Sequence, residues 1–129
     1  MKKRNPQKNT MITLIILSVT PFMLCPYGFA GDREVYLKNC GVCHTLSPSA
    51  ARRQGPPLNQ IIGRKAGSIK DFPYSDGLRS ADWQWSAKTL DRWLENPQGM
   101  VPDSYMMYSE KDAKIRQQII KFLSSNPSS

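Results

Sequence analysis

Two cysteines and the only histidine of this chain stand together in the segment Cys40-Gly41-Val42-Cys43-His44. On a helical turn, two thiols three positions apart reach the two vinyl groups on one edge of a porphyrin, and the adjacent His44 presents a ring nitrogen to the iron. A thioredoxin-like redox pair would need a βαβ context, which is not visible here. A zinc site would need four ligands, and the chain lacks them. The segment therefore predicts one covalently attached haem c, bound through Cys40 and Cys43.

The N-terminus predicts export. Residues 1–10 carry four cations and no acid, residues 11–24 are almost wholly apolar, and Gly28-Phe29-Ala30 offers small residues where a signal peptidase cuts. We expect residues 1–30 to be a cleaved signal peptide and residues 31–129 to form one mature domain. An uncleaved membrane anchor is the alternative, because residues 11–30 are just long enough to span a bilayer. Haem attachment outside the cytoplasm agrees with a periplasmic protein without a permanent anchor.

The net charge of the mature chain is small, so it says little about the class of partner. The whole chain carries +8, but the first 30 residues contribute four of its cations, which leaves +4 for residues 31–129. No basic stripe with interleaved aromatic residues is present, so we expect no nucleic-acid partner. The mature chain has about 99 residues, a size at which apolar side chains alone make a marginal core. A large apolar cofactor would supply the apolar surface that such a core lacks.

The periodicity predicts an all-α domain. Asp32 is expected to cap a first helix that runs toward His44, and Ser47-Pro48 ends it. Residues 55–82 are rich in Gly, Pro, Ser and Asp, which predicts a loop with one turn near 58–62.

Two further helices follow the loop. Ser86 opens one that ends before Pro97 and has Leu90, Trp93 and Leu94 on one face. The last helix is expected after a capping box at Ser109-x-x-Asp112. Its apolar stripe predicts packing against the first helix.

Because the chain has a single histidine, a second histidine cannot be the other axial ligand of the iron, and methionine is the candidate. Outside the predicted signal, the methionines are Met100, Met106 and Met107. A thioether opposite an imidazole raises the reduction potential of a haem. Core packing is the other use of a buried methionine.

Over residues 32–123 the chain resembles class I cytochromes c of the soluble bacterial and mitochondrial type. The fold this implies has three main helices and long loops wrapped around one haem. The resemblance rests on an ordered series of motifs: Cys43-His44-Thr45-Leu46, Gly55-Pro56-Pro57-Leu58, Gly63-Arg64-Lys65-Ala66-Gly67, Phe72-Pro73-Tyr74-Ser75-Asp76, Trp85, Trp93-Leu94-Glu95-Asn96-Pro97 and Val101-Pro102-Asp103-Ser104-Tyr105-Met106.

The resemblance implies roles for individual residues. The Pro56 carbonyl would accept the second ring N–H of His44 and orient it. Met106 would bind the iron, with Met107 as the neighbouring competitor. The side chains that would hydrogen-bond a buried haem propionate are Arg64, Tyr74 and Trp85.

Several positions depart from the family pattern. Leu78 stands where relatives often have an asparagine, and Trp93 stands for a tyrosine whose hydroxyl approaches the ligand sulfur. Both changes predict a less polar haem pocket. Gln98, Gly99 and Tyr105 stand where relatives carry lysine, so docking on an acidic partner should be weaker than in the family.

The resemblance implies a monomeric single-electron carrier rather than an enzyme. Its expected partners are a cytochrome bc complex as electron donor and a terminal oxidase as acceptor in a respiratory chain. One alternative is the electron-accepting subunit of a periplasmic dehydrogenase or sulfur-oxidising enzyme. Another is a haem peroxidase or gas sensor, which would need an open position on the iron.

Overall fold

The predicted all-α class is confirmed. The computed structural model describes residues 28–125, and the side chains from residue 31 onward. Within that part of the chain there is no β-strand, only an isolated antiparallel bridge between Lys65 and Gln84. The helices are α1 Gly28–Asn39, α2 Asp76–Arg79, α3 Ala87–Glu95, α4 Pro97–Met100 and α5 Ala113–Ser125.

The first and last long helices pack on each other, as the apolar stripe predicts. The ring of Tyr36 stacks on Phe122, with 4.8 Å between ring centroids. Ile119 is fully buried beside them. Helix α5 also packs on α3, so α5 stands between the other two long helices.

Both ends of α1 differ from the prediction. The helix ends at Asn39 and does not continue to Ser47-Pro48. The helix begins at Gly28, so Asp32 does not cap it. Instead the Asp32 carboxylate pairs with the Lys121 ammonium of α5 at 2.7 Å. The predicted cut after residue 30 would leave a helix that starts at Gly31, and it stays a prediction because residues 1–27 lie outside the described part. In residues 28–125, no helix is both long and apolar enough to cross a membrane.

Helix α3 forms as predicted, and a reciprocal capping box between Ser86 and Thr89 stabilises its first turn. The Ser86 hydroxyl accepts the Thr89 N–H at 3.1 Å, and the Thr89 hydroxyl accepts the Ser86 N–H at 2.7 Å. Pro97 has no N–H to continue the helix and becomes the first residue of α4 instead. The predicted apolar face, Leu90, Trp93 and Leu94, is buried.

Helix α5 begins three residues later than the Ser109 capping box predicts. Residues 109–112 stay outside it. The Glu110 N–H donates to the Leu94 carbonyl at the end of α3, at 2.7 Å, and the Glu110 carbonyl accepts from the Arg116 side chain instead of the Lys114 N–H. The cap is therefore Asp112, whose carboxylate accepts the Lys114 N–H at 2.8 Å.

The predicted loop over 55–82 contains one helical turn, α2, too short to leave a periodic signal in the sequence. Its end joins an extended segment that runs antiparallel to residues 63–66. The Gly63 N–H donates to the Trp85 carbonyl at 2.7 Å, and the Trp85 N–H donates to the Arg64 carbonyl at 2.9 Å. This pairing places Arg64 beside Trp85.

Candidate functional site

The cysteine–histidine segment follows directly from the end of α1. The His44 N–H donates to the Cys40 carbonyl at 2.9 Å, and the Cys43 N–H donates to the same oxygen at 3.1 Å. One turn thus carries both thiols and the imidazole. Cys40 is buried and Cys43 half-buried, and neither forms a disulfide. Burial, together with the neighbouring Cys43, raises the pKa of Cys40 to about 12, so this thiol keeps its proton at neutral pH.

The imidazole of His44 is held in one orientation. Its Nδ1 lies 2.7 Å from the Pro56 carbonyl oxygen. A carbonyl only accepts, so Nδ1 carries the hydrogen and the other ring nitrogen keeps its lone pair. Burial lowers the pKa of His44 below its ordinary value, which favours the neutral ring that binds metals.

Gly55 gives the imidazole its space. A Cβ at this position would overlap the His44 ring. The Gly55 N–H donates to the Cys43 carbonyl at 2.8 Å, so the backbone is fixed at this close approach. In the sequence Gly55 is recognised only as part of a motif, because the neighbour that requires a glycine is eleven residues away in the chain.

The three candidate methionines lie in different surroundings. Met106 is half-buried against the core, and its sulfur accepts the indole N–H of Trp93 at 3.1 Å. Its backbone N–H donates to the Ser104 hydroxyl at 3.2 Å. Met107 is 78% exposed, and Met100 lies half-buried in α4. The Met107 sulfur also accepts a hydrogen bond, from the Gln98 amide at 3.3 Å. Among the three, Met106 is distinguished by combining partial burial with a directed donor.

The bond from Trp93 overturns one expectation. The exchange of tyrosine for tryptophan was expected to remove a polar group near the ligand sulfur. The indole N–H instead donates to the Met106 sulfur. Trp93 therefore keeps a hydrogen-bond donor at this position, whereas Leu78 is an apolar side chain packed on the core.

The residues expected to hold a propionate come together. Arg64 bonds the carbonyls of Asn59 and Pro57 at 3.0 and 2.8 Å, which uses two of its five N–H groups. Burial lowers the pKa of Arg64, and the nearby Tyr74 phenol opposes that change. Tyr74 and Trp85 are both buried. A half-buried cation with N–H groups to spare suits a carboxylate partner, and the propionate role of these three residues stays a prediction.

Two features of the site were absent from the sequence analysis. The Tyr36 hydroxyl is buried with no hydrogen-bond partner among the described residues. Arg116 is 6% exposed, and its guanidinium reaches into the loop that carries Met106. The sequence did contain a signal for Arg116, because it precedes Ile120 by four residues and Leu123 by seven and so lies on their buried face.

This donor set fits the haem that the sequence predicts. It offers two thiols on one turn, one neutral imidazole cleared by Gly55, and one thioether held by a donor.

Comparison with known proteins agrees with that set. The chain is 38% identical over 100 residues to cytochrome c2 of Rhodomicrobium vannielii, a match that covers 74% of this chain and 80% of that protein. It is 40% identical over 80 residues to cytochrome c-550 of Ancylobacter novellus, covering 60% of this chain and 75% of that protein. Cytochrome c of Arabidopsis thaliana is 33% identical over 91 residues, covering 70% and 81%. No family model matches the chain.

Proposed function

The chain belongs to the class I c-type cytochromes, and we propose that it is a periplasmic single-electron carrier whose iron is bound by His44 and Met106. Members of this family are electron-transfer proteins with one covalently bound haem c. The observation that carries the assignment of the ligand is the half-buried Met106 sulfur, which accepts the Trp93 N–H while Met107 is exposed.

Each remaining residue of the set has a physical task. The Cys40 and Cys43 thiols would hold the haem by adding across its two vinyl groups, so that each sulfur bonds one carbon and its hydrogen goes to the other. The Pro56 carbonyl orients His44 through the bond at 2.7 Å. When bound, the haem supplies an iron that takes up and releases one electron.

Ligation on both sides favours a carrier over the alternatives that bind a substrate. A peroxidase or gas sensor needs an open position on the iron, and Met106 would close it. A thioether opposite imidazole also raises the reduction potential, which suits a carrier in a respiratory chain.

Exposed apolar side chains support a docking face with few charges. Val42 lies within the cysteine–histidine segment, and Tyr105 and Met107 flank Met106; they are 78%, 73% and 78% exposed. The expected partners, a cytochrome bc complex and a terminal oxidase, would therefore be bound with less help from charge than a lysine ring gives.

The attachment of the haem is tested by extraction. With thioether bonds at Cys40 and Cys43, the chromophore should stay with the protein in acid acetone, at one haem per chain by mass. Replacement of either cysteine should sharply reduce the mature protein, because the remaining core is small. A chromophore that leaves the intact protein freely would refute covalent attachment.

The iron ligand is tested with two matched variants. The oxidised protein should have the weak red absorption of an iron–thioether bond. Met106→Ala should abolish this band, lower the potential and admit carbon monoxide to the ferrous iron. Met107→Ala should leave all three unchanged, and stability within about 0.5 kcal/mol, because its side chain is 78% exposed. If the two variants behave the other way round, Met107 is the ligand.

A further inference from the structure

Met106 lies in a loop whose first half is bonded to α2 and whose second half is bonded to Arg116 of α5. We call residues 101–112, between α4 and α5, the ligand loop. Near its start, the Asp103 carboxylate accepts the Gly77 N–H of α2 at 2.9 Å, and Ser104 is buried. These contacts hold the half of the loop that precedes the methionine.

The half of the ligand loop that follows Met106 is held mainly by one side chain, that of Arg116. The Arg116 Nη1 donates to the carbonyls of Glu110 and Lys111, at 3.1 and 3.0 Å. On its other edge, Nε donates to the Asp91 carboxylate of α3 at 2.8 Å, and Nη2 lies 3.8 Å from the carboxylate of Glu95. A planar guanidinium suits this arrangement, because it can bond acceptors on two edges at once.

From these contacts we propose that Arg116 is a positioning residue for the iron ligand. It holds the later half of the ligand loop against α5 through its bonds to the Glu110 and Lys111 carbonyls, and so sets how often Met106 leaves the iron. This inference rests on the proposed ligation by Met106 and adds a residue that does not touch the haem.

Two weaker contacts run beside Arg116 and support the same geometry. The Lys111 ammonium donates to the Glu95 carbonyl at 2.7 Å, and the Glu110 N–H donates to the Leu94 carbonyl at 2.7 Å. Both join the same half of the loop to the end of α3. Lys111 is exposed and carries a single contact, whereas Arg116 is buried and makes several.

The test is imidazole binding to the ferric protein. Imidazole can bind the iron only when the thioether leaves, so its apparent affinity measures the opening of the ligand loop. Arg116→Lys keeps a positive charge near Asp91 but loses the forked donor. We expect the apparent affinity to rise about tenfold. Hydrogen exchange of the Glu110 amide should become faster in parallel.

Asp91→Asn is the matched control. It weakens the contact between α5 and α3 but leaves both carbonyl bonds to the loop. The denaturant midpoint should fall, with imidazole affinity unchanged. An unchanged affinity in Arg116→Lys would overturn the inference, and so would an equal rise in both variants, which would mean a general loosening of the fold.

A second variant covers the case in which Arg116→Lys does not accumulate. Lys111→Met removes an exposed contact from the same half of the loop and should raise imidazole affinity by about twofold to threefold. No rise would count against the inference. The unmutated protein separates this failure from the failure of the proposed function: without the iron–thioether band, ligation by Met106 is itself wrong.

Discussion

The indole nitrogen of Trp93 lies 3.1 Å from the sulfur of Met106 and donates its only hydrogen to it. If Met106 binds the iron as proposed, this bond would withdraw electron density from the sulfur and weaken its donation to ferric iron more than to ferrous iron. Trp93→Phe should therefore lower the reduction potential by about 20–40 mV, the equivalent of one modest hydrogen bond. The iron–thioether band should remain. Redox titration measures the change.

Trp83→Phe provides the comparison for this prediction. Trp83 belongs to the same aromatic cluster, with its ring centroid 6.5 Å from that of Trp93, and has no bond to Met106. Its replacement should cost packing without a comparable change in potential. Equal changes in the two variants would mean that the potential responds to packing rather than to the N–H donor.

Gly55→Ala should impair haem ligation by His44. The added Cβ would overlap the imidazole ring, and the backbone bond to Cys43 leaves it little room to move. We expect several-fold less holoprotein, measured as the ratio of haem absorbance to protein. Gly63→Ala is a useful contrast, because a Cβ there meets nothing within 4 Å but the φ of +82° is strained. It should cost about 1 kcal/mol of stability with normal haem content.

Tyr36→Phe should stabilise the protein. A buried hydroxyl without a partner costs about 1–3 kcal/mol, and this one has none among the described residues. Burial also raises the pKa of Tyr36 from 10.0 to about 12. The unfolded chain therefore loses this proton first, and stability falls as pH rises from 10 toward 12.

Denaturant titrations at pH 8 and pH 11 check both parts of the Tyr36 prediction. Tyr36→Phe should have the higher midpoint at pH 8 and a smaller loss at pH 11. Tyr105→Phe, at a position 73% exposed, should match the unmutated protein at both pH values. A lower midpoint for Tyr36→Phe at pH 8 would mean that the hydroxyl has a partner in the holoprotein.

Export can be tested on the product itself. The mature protein should begin near Gly31 and be recovered in the periplasmic fraction, as the small residues before the predicted cut indicate. Intact mass and N-terminal sequencing identify the start. Recovery in the membrane fraction with residues 1–30 retained would establish the anchored alternative.

The sequence predicted what depends on local pattern. Ser86 and Thr89 lie three residues apart, so the cap of α3 could be predicted, and the fixed spacing of Cys40, Cys43 and His44 identified the haem motif. The same reasoning failed at the start of α5. There the Glu110 N–H has a distant partner in Leu94, and no local pattern reports that bond.

The direction of a polar atom was also beyond the sequence. Trp93 was expected to make the pocket less polar because it lacks the hydroxyl of a tyrosine, yet the effect of a tryptophan N–H depends on where it points. Tertiary packing decides that direction. Packing likewise decides the direction of the Arg116 guanidinium, although the position of this residue on the buried face of α5 could be predicted.

Hydrogen bonds to the carbonyls of the adjacent Pro56 and Pro57 constrain the number of residues in this segment. One carbonyl accepts from the His44 ring and the next from the Arg64 guanidinium, at 2.7 and 2.8 Å. An insertion or deletion within 55–58 would move both oxygens out of register, so this stretch should not vary in length. Residues 48–52 are exposed, and surface loops of that kind accept added residues readily. A reporter tag or an epitope placed inside this domain belongs there.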